Sequence, residues 1–209
     1  MSKDFCSVSP RGESILLFSY GANMARKTLL KRNLNPISCH PARILDDRIA
    51  ISFQHRAAFA TLVKTKEPVD TKLCVSKPYG IVNRMTYDDF RKIQKREIGY
   101  KTCSLNNVCL LDTGEMVDCV VFVSSSWLLL SQPMPPTHRY KDLLVSGCVE
   151  NRLDKYGGSA YMEWLQKVPS VELKEVSSLR YSQTPSEKAA RAFGVFCMLC
   201  ITASTIFFT

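Results

Sequence analysis

The chain switches several times between a two-residue hydrophobic period and a helical period, which predicts an α+β protein built around a curved sheet or barrel. A short apolar strand is predicted at residues 14–19. Five further strands or strand pairs are predicted at residues 42–45, 48–53, 59–63, 79–85, and 101–111 with 116–124. Asp46 and Asp47 are expected to form a hairpin turn between the second and third strands.

The first strand runs directly into residues 20–23, Tyr-Gly-Ala-Asn. Asn23 is expected to cap a helix that continues through Leu29, Leu30 and Arg32. A strand, a tight turn and a helix start in sequence bring several backbone N–H groups together. Such a junction is a natural cradle for a carboxylate or a developing oxyanion.

A second helix is predicted to start at Thr86, which stands three residues before Asp89 in a capping-box pattern. Because helical neighbours recur every three or four residues, one face of this helix carries Phe90, Ile93, Gln94 and Glu97. Glu97 is therefore expected to face the core.

Gly99 indicates that this helix ends just after Glu97. Burial and the helix dipole are both expected to raise the pKa of such a carboxylate, which suits a general acid/base near neutral pH. The spacing alone favours another interpretation, in which Glu97 forms an ion pair with Arg96 or with a distant lysine.

The net charge of +9 suggests a polyanionic partner only at first sight, because the basic residues are scattered along the chain. Only Lys92, Lys95 and Arg96 lie close together, as on a solvated helix face, and we expect no nucleic-acid partner. Hydrophobic residues make up 45% and charged residues 22% of the chain, which is typical of one globular domain.

Nine cysteines would favour disulfides in a secreted protein, but the N-terminus has no apolar signal segment. A reducing, cytoplasmic location is therefore expected, with the cysteines as small buried residues and no metal site. The Cys197 and Cys200 pair lies in an apolar segment and is interpreted as core-facing or lipid-facing, not as a redox motif.

The C-terminal segment 192–209 carries no charge and follows Lys188 and Arg191. It is long enough to cross a thin membrane as a C-terminal anchor; a buried or interfacial helix, or an unreliable gene end, are the alternatives. The predicted organisation is an N-terminal extension at 1–13, one domain at 14–176, a polar linker at 177–191 and this apolar tail.

Four blocks in matching order resemble one known family, the gamma-glutamylcyclotransferases. The turn at 20–23 resembles the family's Tyr-Gly-Ser-Asn, and Tyr-Gly-Ile-Val at 79–82 followed by Arg-Glu-Ile-Gly-Tyr at 96–100 resembles its strand and central-helix end. Residues 135–141 resemble Pro-Pro-Ser-x-x-Tyr-Lys, and 147–151 resemble Gly-Ala-x-Glu-Asn. The similarity covers roughly residues 14–168, and its order is more specific than any single block.

The resemblance implies a small mixed β-barrel flanked by helices and a lyase reaction without cofactor or metal. A gamma-glutamyl amino acid or peptide, as in glutathione metabolism, would cyclise to 5-oxoproline and release its amine. Glu97 would be the general acid/base. The substrate-binding residues would be Leu17, Phe18, Ser19, Tyr20, Gly21, Ala22, Asn23 and Tyr140. The resemblance is also compatible with a homodimer.

Two positions depart from the family pattern: Ala22 replaces a serine, and Ile98 replaces a glycine beside the carboxylate. Asn23 makes a glutathione-restricted enzyme less attractive, because that branch resembles Tyr-Gly-Ser-Leu. A gamma-glutamylamine cyclotransferase is the nearer alternative. A membrane-tethered binding module that has lost turnover is the alternative of another class.

Overall fold

The computed structural model describes residues 14–176 of the 209-residue chain. The predicted extension at 1–13, the linker at 177–191 and the apolar tail at 192–209 lie outside this range. Within residues 14–176, no helix combines the length and the apolar character needed to cross a membrane.

Residues 14–167 contain nine strands, four α-helices and three short 3-10 helices. The strands are β1 (Ser14–Ser19), β2 (Ser38–Ile44), β3 (Ile49–Ser52), β4 (Thr61–Lys64), β5 (Asp70–Thr71), β6 (Cys74–Ser76), β7 (Tyr79–Thr86), β8 (Tyr100–Leu110) and β9 (Met116–Ser124). The helices are α1 (Arg26–Lys31), α2 (Tyr87–Arg96), α3 (His138–Glu150) and α4 (Ser159–Lys167).

Five strands close a barrel in the order β1-β7-β2-β8-β9. The barrel is mixed, because β1 runs parallel to β9 at Leu17 and Phe18 and antiparallel to β7. Both faces of β1 are buried: Leu17 belongs to one apolar cluster and Phe18 to the larger one on the other side. The predicted α+β class, with a small mixed barrel flanked by helices, is confirmed.

The strands between β2 and β7 in the chain form a second, four-stranded sheet in the order β4-β3-β6-β5. This sheet was not predicted as a unit. The chain does turn at Asp46, whose carbonyl accepts the N–H of Ile49 at 3.1 Å. The predicted hairpin there is nevertheless wrong, because β2 pairs with β7 and β8 whereas β3 pairs with β4 and β6. Turn residues mark a reversal, but they do not specify which strands pair afterwards.

The predicted start of α2 is confirmed, since the Thr86 hydroxyl accepts the backbone N–H of Asp89 at 3.2 Å. The predicted cap of the first helix is wrong. Asn23 lies inside a short 3-10 turn, Ala22–Met24, and Ala25 is the residue that precedes α1. The amide of Asn23 is thereby free of a capping role and contacts side chains from other elements.

Helix α3 packs on the turn that follows β1. The Asn151 side chain donates to the Met24 carbonyl at 3.0 Å and to the Gly147 carbonyl at 2.7 Å. Gly147 allows the close approach, because a Cβ there would lie 2.8 Å from the Met24 Cβ. The far end of α3 therefore fixes the position of the glycine turn.

Candidate functional site

Residues 20–23 lead out of β1 and are held between the barrel and α3. Tyr20 is buried, and its hydroxyl donates to the Phe122 carbonyl on β9 at 2.5 Å. Gly21 has φ −116° and ψ −150°, and the Met24 N–H bonds to its carbonyl at 3.0 Å. As at any helix start, the first backbone N–H groups of this 3-10 turn have no acceptor within the turn.

Glu97 is the first residue after α2, where its N–H still bonds to the Ile93 carbonyl at 3.1 Å. The expected helical face is only partly present: Phe90 and Ile93 are buried, Gln94 is exposed, and the Glu97 side chain keeps 17% of its accessible surface. The Glu97 side chain is thus partly buried beside the end of α2, which stops at Arg96, and does not continue the apolar face formed by Phe90 and Ile93.

The turn beyond Glu97 uses Gly99, whose φ of +85° favours glycine. Ile98 keeps a negative φ and is exposed, so the family's glycine at this position is not needed for the backbone path. The Tyr100 N–H closes the turn on the Glu97 carbonyl at 3.1 Å.

The Glu97 carboxylate receives two donors on one oxygen. Asn23 Nδ2 lies 3.0 Å from Glu97 Oε1, and Arg32 Nη1 lies 2.9 Å from the same atom. Arg32 Nη1 also donates to Asn23 Oδ1 at 2.8 Å. The structure thus joins the glycine turn to the end of α2.

The ion-pair partner of Glu97 is Arg32, not Arg96 or a lysine. Arg96 instead donates from Nη1 to the backbone carbonyl of Arg32 at 3.1 Å. Sequence reasoning missed Arg32 as a site residue, because it appeared only as the expected end of a helix.

Tyr140 lies in the first turn of α3, which Thr137 caps by accepting the Tyr140 N–H at 3.2 Å. The phenol oxygen accepts the Ala60 N–H at 3.2 Å. A Cβ on Gly21 would lie 3.2 Å from this oxygen. Since no acceptor for the phenol proton is present among residues 14–176, Tyr140 can still donate a hydrogen bond next to Gly21.

Three tyrosines are close enough to the Glu97 carboxylate for its charge to affect their pKa: Tyr20, Tyr100 and Tyr140. Burial raises the pKa of each phenol above its ordinary value of 10.0, and the negative charge of Glu97 adds to the effect in all three. Tyr100 was not predicted as a site residue. Its ring stacks on His55 at a centroid distance of 5.2 Å.

The other predicted substrate-binding residues offer backbone groups to the site or pack in the core. Leu17 and Phe18 are fully buried in the core, so their side chains do not reach the turn surface. Ser19 is buried, and its hydroxyl accepts from Asn83 Nδ2 at 3.0 Å. Ala22 is half-buried in the 3-10 turn and offers only backbone polar groups.

Comparison with known proteins identifies the fold. No family model matches the sequence, and no curated protein matches it. A solved structure of an uncharacterised Homo sapiens protein is similar with a TM-score of 0.58 and 20% identity, over 81% of this chain and 99% of that chain. A gamma-glutamyl cyclotransferase structure is similar with a TM-score of 0.55 and 19% identity, over the same shares.

The Bacillus subtilis protein YkqA is also similar, with a TM-score of 0.51 and 16% identity, over 76% of this chain and 56% of that one. These likenesses agree with the barrel described above. The chain therefore has the fold of gamma-glutamyl cyclotransferases.

Proposed function

We propose that this chain is a gamma-glutamylcyclotransferase with Glu97 as its general acid/base. The observation that carries the proposal is the convergence of two motifs far apart in sequence: Asn23 on the glycine turn bonds to Glu97 Oε1 at 3.0 Å. The fold shared with a gamma-glutamyl cyclotransferase structure supports the same reaction class.

The first step transfers a proton from the α-ammonium group of the substrate to the Glu97 carboxylate. The neutral amine then attacks the γ-carbonyl carbon of the same glutamyl group and forms a five-membered ring. The tetrahedral intermediate collapses, the bond to the leaving nitrogen breaks, and Glu97 returns its proton to that nitrogen. The ring nitrogen gives up its second proton to the released amine, directly or through solvent. The products are 5-oxoproline and the amine in its ammonium form, and the carboxylate is regenerated.

The other site residues hold the glutamyl arm in its bent, reactive form. The backbone N–H groups that open the 3-10 turn at Ala22–Met24 have no acceptor inside that turn and are suited to a developing oxyanion. The Tyr140 phenol, which lies next to Gly21, donates to the bound glutamyl group. The alanine at position 22 removes a hydroxyl but leaves these backbone donors in place.

The test is release of 5-oxoproline from gamma-glutamyl-alanine by the full-length chain. Glu97→Gln keeps the size of the side chain but cannot accept a proton, and we expect kcat to fall by about 10²- to 10⁴-fold. Glu163→Gln is the matched control, because Glu163 lies exposed on α4, where it pairs with Lys167 of the same helix at 3.7 Å. Equal activity of wild type and Glu97→Gln would disprove the assigned role.

The choice of substrate distinguishes the proposed enzyme from a gamma-glutamylamine cyclotransferase. An enzyme of that type cleaves Nε-gamma-glutamyl-lysine faster than gamma-glutamyl-alanine, whereas the proposal expects the opposite order. Binding of both compounds in calorimetry without 5-oxoproline release would instead indicate a binding module.

A further inference from the structure

Two helix ends are tied to each other in both directions at the proposed site. Arg32 follows α1 directly, and Glu97 follows α2 directly. Arg96 donates to the Arg32 backbone carbonyl at 3.1 Å, which satisfies an acceptor at the end of α1. In return, the Arg32 side chain reaches the Glu97 carboxylate.

The guanidinium also determines how the Asn23 amide is oriented. Arginine can only donate hydrogen bonds, so the oxygen of the amide must face Arg32 Nη1, at 2.8 Å. The amide nitrogen then faces Glu97 Oε1. One arginine therefore fixes both the carboxylate and its neutral partner.

Both hydrogen bonds to the carboxylate end on Oε1. Among residues 14–176, no donor lies within hydrogen-bond distance of Glu97 Oε2. A carboxylate held in this way presents one oxygen to the protein and the other to a ligand. The held oxygen also cannot rotate into the ligand position without breaking two bonds.

We infer that Arg32 is a positioning residue that fixes Glu97 through Oε1 and so makes Oε2 the atom that carries the substrate's proton. This inference rests on the proposed function. It adds a residue that touches no substrate and acts on the reaction through the Glu97 carboxylate, whose other partner, Asn23, it also orients. The guanidinium keeps 29% of its accessible surface, so Arg32 is half-buried and is not part of the apolar core.

The kinetic test compares Arg32→Met and Arg32→Lys with wild type in 5-oxoproline release. Loss of positioning lowers kcat about tenfold or more and changes KM little, because misplacement affects the transition state more than binding. Arg32→Lys recovers part of kcat, since its ammonium restores the charge but not the planar guanidinium geometry. A raised KM with unchanged kcat would overturn the inference and indicate direct contact with the substrate.

A second arm uses the Glu97→Gln background. If Arg32 acts only through the carboxylate, Arg32→Met changes the residual kcat of Glu97→Gln by less than twofold. Effects that multiply would contradict this role. Arg48→Met is the matched control, because Arg48 forms an exposed pair with Asp46 outside the site.

A third arm is independent of turnover. Urea unfolding of Arg32→Met, Glu97→Gln and the double variant measures whether the two residues interact. We expect the shift in midpoint for the double variant to be smaller than the sum of the two single shifts. Additive shifts would overturn the positioning role, whereas coupling without any 5-oxoproline release would mean that only the proposed function has failed.

Discussion

The Tyr140 hydroxyl oxygen lies 3.2 Å from the point that a Cβ on Gly21 would occupy. The two residues come from different parts of the chain, Gly21 from the turn after β1 and Tyr140 from the first turn of α3. The phenol therefore lies close against the backbone of the turn. In the proposed function, the glutamyl group binds beside this contact.

Gly21→Ala is expected to press its Cβ against the Tyr140 hydroxyl without straining the backbone, since φ −116° is accessible to alanine. The phenol must shift by a few tenths of an ångström, and kcat/KM should fall about tenfold, with less than about 1 kcal/mol change in unfolding free energy. Steady-state kinetics and urea unfolding provide the two measurements. In a Tyr140→Phe background, Gly21→Ala should lower kcat/KM less than twofold, because the hydroxyl that meets the added methyl group is absent. A tenfold fall in that background as well would show that the methyl group clashes with another group.

Tyr140→Phe removes the acceptor for the Ala60 N–H and the donor next to Gly21. We expect a loss of about 1–3 kcal/mol in unfolding free energy and a clear fall in kcat/KM. Tyr79→Phe is a matched control. The Tyr79 hydroxyl also donates a hydrogen bond to the backbone, at 2.8 Å from the Gly157 carbonyl oxygen, but Tyr79 is not among the site residues. A similar loss of activity in both variants would show that destabilisation, not the site hydroxyl, is responsible.

Gly99→Ala should disturb the segment that carries Glu97. The residue has φ +85°, and a Cβ would collide with the Leu128 side chain. The strain should cost about 1–3 kcal/mol in unfolding free energy, and kcat should fall because the carboxylate moves. Gly114→Ala is the control, since its φ is +76° with nothing within 4 Å. It should lose stability without losing kcat, and an equal loss of kcat in both would contradict the explanation.

Alkaline pH should destabilise the fold through its buried phenols. Burial raises the pKa of Tyr20, Tyr100, Tyr140 and Tyr161 above the ordinary value of 10.0. Their protonated forms therefore contribute stability that is complete below about pH 10 and is lost as the pH rises through the raised values.

Absorbance of phenolate near 295 nm, recorded together with circular dichroism, tests this directly. Four of the eight tyrosines should ionise only as the ellipticity is lost. Smooth ionisation of all eight near pH 10 with an intact spectrum would show that these phenols are accessible to solvent.

The sequence by itself determined the local elements. Residues 14–19 form β1 as predicted, Thr86 caps α2, and Met116–Ser124 is a strand with the predicted bounds. Such features depend on side-chain alternation and on hydrogen bonds between neighbours, which are written into short stretches of sequence. The order of the four family-like blocks also identified Glu97, Tyr140 and the glycine turn as the candidate site.

Only the tertiary structure decided how these parts meet. Glu97 binds Arg32, which lies 65 positions away, and the Tyr140 phenol binds Ala60 across 80 positions. Closure of the barrel brings such residues together, and no local period records which strand will pair with which. The same reason explains the two clear errors, the hairpin at Asp46 and the helix cap at Asn23. In each case the prediction assumed a contact with neighbouring residues in the chain. In the folded protein, β2 and β3 pair with other strands and Asn23 binds Glu97.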